Sequence, residues 1–436
     1  MGKSNKSNIL PIAVMFLLFF TIAFVTNLAG SMGVIVKNQF GVSSALSQLG
    51  TFANFIAYAC MGIPAGIILK RKGYKFTSLT AVVIGLVGVA IQWIAGPAES
   101  FAVYVTGAFI AGFSMCMLNV VVNPMLNTLG GGGNKGNQLI QFGGSCNSIG
   151  GTIAPILCGY LVGGEVEKAS VGDAAPVMII AIAIFALAAV VIYFTNIPEP
   201  HKETAEEKQL RLSGKIEKDK HSPLSFRHFV LGAIAIFFYV GVEVGIPNMA
   251  NLYMSNDPLV GAAVAGTIVG LYWLMMLVGR LIGGSIGSKV SSKMMLTIMS
   301  SLGIVLLLAM IFIPESITVT ISETEIVIFG KKLFTIPFMQ VPISMLLMVL
   351  CGLCTSVMWG SIFNLATEGL GKYTPSASGI FMALVCGGGI IPFVQGLVAD
   401  SIGYIGSYAV TIVALAYILW YALFGSKNVN TNIKID

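Results

Sequence analysis

The sequence is short of charge. Only 10% of its 436 residues are Asp, Glu, Lys or Arg, while 56% are hydrophobic, a balance that excludes a soluble globular domain. Histidine is scarcer still: His201, His221 and His228 all fall in one short stretch. With no deep Ser/His/Asp or metal-ligating set, the chain is not expected to be an enzyme or to hold a resident cofactor, and no metal site can be firmly assigned. No cysteine sits in a loop where a structural disulfide would form. All seven lie in apolar runs, and Cys351-Gly-Leu-Cys354 lacks a βαβ context, so they read as packing residues. The net charge of +6 comes from scattered loop anchors and forms no stripe of the kind a nucleic acid needs, which excludes a nucleic-acid partner. A cleaved leader is not expected either. The apolar run after Lys3 and Lys6 extends from Ile9 to about Val36, too long for a signal-peptide core of about 7–15 residues.

What the chain has is length without polarity. Twelve apolar runs, each near the roughly 20 residues that cross a bilayer, cover roughly 9–36, 45–69, 76–96, 101–128, 137–163, 175–197, 228–254, 259–287, 292–313, 338–367, 376–400 and 404–425. Numbering the connections alternately puts twenty of the twenty-four Lys and Arg residues in one set. Only Lys37, Lys168, Lys331 and Lys332 fall in the other. Basic residues stay on the cytoplasmic side, so a multi-pass protein of the cell (inner) membrane with both termini cytoplasmic is expected. Six spans (1–197), a charged linker (198–227) whose Glu203–Ile216 stretch is expected to be helical, and six more spans (228–436) define the layout. It is that of an all-α membrane protein with the major facilitator fold, two six-helix halves around a midplane site.

The halves echo each other. Asn123-Pro-Met-Leu-Asn-Thr-Leu-Gly130 ends the fourth run and Asn364-Leu-Ala-Thr-Glu-Gly-Leu-Gly371 the tenth. Pro155 and Gly159 in the fifth match Pro392 and Gly396 in the eleventh, and Gly66–Lys72 closes the second as Gly279–Gly284 closes the eighth. Between the ninth and tenth runs, alternating Ile/Val and Thr at 317–321 and the stretch Glu325–Ile336 around Gly330-Lys331 predict an external β-hairpin near 315–337.

Polar groups inside a membrane need a reason. In the first half these are Asn27, Asn54, Gln92, Asn119, Asn123, Gln141 and Asn147, with no deep carboxylate or base. Asn119 and Asn123, four apart, share a helix face. Amides both donate and accept, which suits an uncharged polyhydroxylated ligand; gluing helices together is the competing role. The second half offers Glu243, Asn248, Asn251, Asn364, Glu368 and Gln395, with rings from Phe238, Tyr239, Tyr272, Trp273 and Trp359. Glu243 reads as a lone mid-bilayer carboxylate, either bound by backbone amides where Pro247 breaks its helix or serving a proton or a sodium ion.

Several stretches resemble the fucose permease and glucose/galactose transporter branch of the major facilitator superfamily. They are NLATEGLGKYTPSASGIFMALVCGGGIIPFVQGLVAD (Asn364–Asp400), YVGVEVGI (Tyr239–Ile246), NPMLNTLG (Asn123–Gly130), NSIGGTIAP (Asn147–Pro155) and PAGIILKRKGYK (Pro64–Lys75). The resemblance spans nearly the whole chain. It implies import of a neutral monosaccharide (glucose, galactose, mannose or fucose) by a monomer embedded in the bilayer, coupled to sodium or protons. Asn147 and Glu243 match that branch's fifth-span asparagine and seventh-span glutamate. The titrating carboxylates of the fucose symporter's first and fourth spans fall at Gly30 and Asn119 here, and neither can titrate. The expected substrate contacts are Asn27, Asn119, Asn123, Gln141, Asn147, Tyr239, Tyr272, Trp273 and Asn364. Glu243 and Glu368 are expected to handle the ion, with any sodium near Glu243. Lys70, Arg71, Lys72 and Arg280 are expected to latch the cytoplasmic gate. An uncoupled facilitator, an exporter of amphipathic compounds and a receptor that no longer transports are the alternatives.

Overall fold

The structure, a computed structural model, describes residues 9–42, 49–161, 170–213, 221–255, 261–314, 316–328, 331–336, 338–430, 432–433 and 435. Lys3, Lys6, Lys168 and Gly330 lie outside them. Twelve helices carry the apolar runs. In the first half they are α1 (Ile9–Phe40), α2 (Leu49–Lys72), α3 (Tyr74–Ile94), α4 (Phe101–Leu129), α5 (Gly133–Leu161) and α6 (Ala175–Phe194). In the second they are α7 (Arg227–Ser255), α8 (Gly261–Ile286), α9 (Ser292–Phe312), α10 (Ile343–Thr367), α11 (Gly371–Gly406) and α12 (Tyr408–Gly425). Eleven are apolar and long enough to span a bilayer on those grounds alone. The other, α5, has 29 residues, about 43 Å at 1.5 Å per residue. It is more polar because Asn137, Gln138, Gln141, Ser145, Asn147 and Ser148 lie within it.

Large apolar side chains face outward from the bundle. Phe194 and Phe312 are each 79% exposed and Phe393 is 68% exposed. Such a belt is stable only in lipid. Within the first half, α1 packs on α4 and α5, α2 on α4, and α3 on α4 and α6. In the second, α7 packs on α8, α10, α11 and α12, while α10 packs on α8 and α9. The halves meet through α2 with α11 and α5 with α8. A duplication that relates α2 to α8 and α5 to α11 exchanges these two contacts.

Both contacts are tightest toward the face where α1 begins, α12 ends and the described part of the linker lies, called here the basic face. Gly62 and Gly66 of α2 lie against Gly379 and Pro375 of α11. A Cβ on Gly62 would stand 2.5 Å from Gly379 O, and one on Gly379 2.5 Å from Gly62 O. On the other seam Gln138 Nε2 donates to Gly284 O at 2.9 Å, and Gly284 lies under the Phe142 ring. Absent side chains let the backbones close on each other.

Two buried prolines open the helices where the halves need partners. A helical proline leaves the carbonyl four residues earlier without its amide. Pro124 frees Val120 O, which accepts from Ser378 Oγ of α11 at 3.1 Å. Pro247 frees Glu243 O, which accepts from Tyr272 Oη of α8 at 3.2 Å. The same hydroxyl lies 3.0 Å from Thr355 Oγ1 of α10. Tyr272→Phe is expected to lower stability by about 1–3 kcal/mol, because a buried carbonyl loses its donor. Thermal unfolding of the purified protein reads this directly, and an unchanged midpoint would contradict it.

Beyond the membrane, the hairpin is longer than its sequence suggests. Strand β1 (Thr318–Ile321) pairs antiparallel with β4 (Met339–Pro342), and β2 (Thr324–Ile328) pairs with β3 (Lys331–Ile336) across a register shift at Ile326/Val327. The β1–β4 ladder takes residues 339–342 from the tenth run, so α10 begins at Ile343. On the basic face the linker docks against α3. The Glu199 carboxylate accepts from Tyr74 N and from Lys75 N (3.0 Å), holding negative charge at a helix N-terminus. His201 Nδ1 lies 2.7 Å from Tyr74 Oη, and partial burial pushes its imidazolium pKa down. A short helix, Ala205–Leu212, follows; residues 214–220 are outside the described set.

Candidate functional site

Between the halves lies a cavity of about 360 Å³. Helical periodicity explains its lining. Phe19, Ile22, Ala23, Thr26 and Asn27 recur at three- and four-residue intervals along α1, as do Gln141, Gly144 and Asn147 on α5 and Val240, Glu243, Val244 and Asn248 on α7. Tyr58, Asn119, Trp273, Arg280, Trp359 and Gly360 are among the other residues of its walls. Asn119 and Gln141 are buried, whereas Asn27 and Asn248, nearer the hairpin face, are exposed. With the seams closed toward the basic face, the cavity is reached from the hairpin side.

An amide network shapes its floor. Asn119 Nδ2 donates to Tyr58 Oη at 2.9 Å, and Asn123 Nδ2 donates to Asn119 O at 2.9 Å. Asn123 Oδ1 accepts from Trp359 Nε1 of α10 at 2.9 Å, fixing that ring across the halves. Gln141 Nε2 donates to Val357 O at 2.9 Å, the residue where α10 breaks between Ser356 and Met358. Asn147 Nδ2 donates to Phe19 O at 3.1 Å, tying α5 to α1.

The only charges among the described residues that line the cavity are Glu243 and Arg280. Arg280 Nη2 donates to Glu243 Oε1 at 3.1 Å, with both side chains largely buried. Arg280 Nη1 turns to the opposite half, donating to Ser148 Oγ at 2.7 Å and Gly144 O at 3.1 Å, with Asn147 Oδ1 at 3.5 Å. Two sequence readings are corrected here. Glu243 is not a lone carboxylate, and Arg280 is not a loop anchor at a helix end: it is inside α8, six residues before Ile286, on the cavity wall. One signal could have found the pair. An arginine within an apolar run needs a carboxylate, and Glu243 is the deep one.

Of the expected substrate contacts, the structure brings Asn27, Asn119, Gln141, Asn147 and Trp273 to the cavity. It places four others behind the wall. Asn123 holds Trp359. Tyr239 is fully buried, with its ring against Trp359 at 6.2 Å between centroids. Tyr272 donates to the Glu243 carbonyl that Pro247 leaves free inside α7, which stays a continuous helix and is not broken there. Asn364 Nδ2 donates to Ser292 Oγ of α9 at 2.9 Å. Glu368 is exposed at the end of α10, where its backbone carbonyl meets His228 Nε2 at 2.9 Å. Lys70, Arg71 and Lys72 are exposed at the end of α2, where Lys70 O accepts from Glu203 N at 2.8 Å. Tyr58, Ser148 and Thr355 were not singled out from the sequence, because isolated hydroxyls in apolar helices are common.

A bundle of twelve spanning helices in two facing halves, with a polar cavity between them closed at one end, defines a membrane transporter. The chain belongs to the Major Facilitator Superfamily, whose profile matches residues 14–391. It is 29% identical over 433 residues to the glucose/galactose transporter of Brucella abortus biovar 1 (strain 9-941), covering 98% of this chain and 96% of that one. It is 23% identical to the L-fucose-proton symporter of Escherichia coli (strain K12), covering 97% and 94%. Among solved structures, the crystal structure of the superfamily transporter FucP in the outward conformation superposes with a TM-score of 0.78. That match covers 97% of this chain and 100% of the other, at 22% identity. These proteins are transporters, not enzymes.

Proposed function

We propose that this chain imports a neutral hexose such as glucose, galactose, mannose or fucose across the cell (inner) membrane. It works by alternating access as a monomer, with the basic face cytoplasmic. The observation that carries the reading is the pairing of an amide wall (Asn27, Asn119, Gln141, Asn147) with indole rings (Trp273, Trp359) around one small cavity. Amides address hydroxyls in both directions, and the rings present apolar faces to a sugar's C–H surface. The names of the Brucella and Escherichia relatives support the same substrate class. A volume near 360 Å³ is at the small end of ligand pockets, about 300–1,000 Å³, which disfavours an exporter of bulky amphipathic compounds. The basic residues that remain in the connections support the orientation.

Coupling is assigned to Glu243, where an arriving proton or sodium ion competes with Arg280 for the carboxylate. The same pairing favours a second reading, uncoupled facilitated diffusion, since a neutralised carboxylate needs no further cation. Entrance counterflow tests the substrate class whichever ion is used. Proteoliposomes loaded with unlabelled galactose or glucose are expected to take up the labelled sugar transiently. Asn147→Ala is expected to raise the half-saturation concentration about tenfold, because one polar contact to the ligand is lost. A half-saturation unchanged from wild type would remove Asn147 from the site.

A further inference from the structure

One guanidinium joins three helices and both halves. Arg280 reaches from α8 to Glu243 on α7 in its own half, and to Ser148 Oγ and Gly144 O on α5 in the other half. It does so on the cavity wall, where a ligand would meet it. The α5–α8 seam that closes toward the basic face continues from this point through Gln138 and Gly284. Arg280 and its acceptor Gly144 both line the cavity, so the guanidinium end of this seam is the part that a substrate reaches. A serine hydroxyl and a sugar hydroxyl are chemically alike as acceptors for an arginine N–H. Glu243 holds the guanidinium in place whichever of them is present.

We propose that Arg280 is the latch through which sugar occupancy reaches the seam: a sugar hydroxyl takes the place of Ser148 Oγ on the guanidinium, removing the shortest of its bonds to α5 and loosening that seam while Glu243 retains the arginine. Arg280 is then a positioning residue for the movement of the halves as well as part of the wall. The inference rests on the sugar reading above. It makes Ser148 a competitor of the substrate rather than a ligand of it.

The sign of one substitution tests this. Ser148→Ala removes the shortest bond to α5 and leaves the Glu243 pair in place. Galactose and glucose binding to the purified full chain in detergent, where both faces are accessible, is measured by quenching of tryptophan fluorescence. The dissociation constant is expected to fall about three- to tenfold, the scale of one net hydrogen bond that no longer has to be displaced. Ser148→Thr, which keeps the hydroxyl, is expected to restore the wild-type constant. If Ser148→Ala binds sugar as wild type does, or more weakly, the latch is wrong and the serine is structural or a direct ligand. If the wild-type protein binds no hexose at all, it is the sugar reading that fails, and the two failures are told apart by that control.

Discussion

Replacing Arg280 by Met is expected to be the most damaging single change in this protein. It leaves the Glu243 carboxylate without its partner in a largely buried position, and breaking a buried ion pair in this way costs about 3–5 kcal/mol. Ser148 Oγ and Gly144 O lose a donor at the same time. Net uptake should be abolished and the unfolding midpoint should drop sharply. The double variant Glu243→Gln with Arg280→Met carries no buried charge and is expected to recover most of the stability but not the transport. The comparison separates the two roles of the pair. If the single and double variants unfold alike, the pair contributes nothing to stability beyond its two separate side chains.

Closing the basic face should be nearly as sensitive. A Cβ on Gly379 would stand 2.5 Å from Gly62 O and 3.0 Å from Gly66 Cα, so Gly379→Val wedges α2 and α11 apart. Overpacking of this kind costs about 1–3 kcal/mol, which makes the closed seam about 5- to 150-fold less populated. Because uptake needs that face to close in every cycle, initial rates are expected to fall in proportion. Gly270→Ala is the control, since nothing lies within 4 Å of the added Cβ there. Wild-type rates for Gly379→Val would show that this crossing does not have to close.

The scaffold was readable because bilayer thickness imposes run lengths that survive without any knowledge of packing. Runs placed at roughly 101–128 and 292–313 became Phe101–Leu129 and Ser292–Phe312. Boundaries slipped where non-helical structure borrowed from a run, as when Met339–Pro342 paired with Thr318–Ile321 ahead of α10. In α11, a positive φ at Gly403 (83°) bends the helix into a further turn that composition does not announce.

The cavity was partly legible for the same periodic reason. Asn119 and Asn123 share a face of α4, and Asn27, Gln141 and Asn147 were grouped with them as amides of spans expected to line the cavity; all but Asn123 reach it. Periodicity does not say which neighbour a face meets. Asn123, Asn364 and Tyr272 looked equally suited to a ligand, yet each satisfies a partner on another helix. Glu243 and Arg280 are 37 residues apart on different helices, and nothing along either helix reveals their contact. Burial logic would have paired them, because an arginine deep in an apolar run is intolerable alone.

Gradient-driven uptake tests the account most directly. Labelled glucose, galactose, mannose and fucose would be offered to proteoliposomes of the wild-type chain under an inward sodium gradient, an inward proton gradient, or neither. Accumulation of at least one hexose above equilibrium under one of the gradients, lost in Glu243→Gln, is the predicted result. Equilibration regardless of gradient would keep the sugar assignment and replace coupling by facilitated diffusion. No flux of any hexose under any condition, from protein that is folded and correctly inserted, would contradict the central claim.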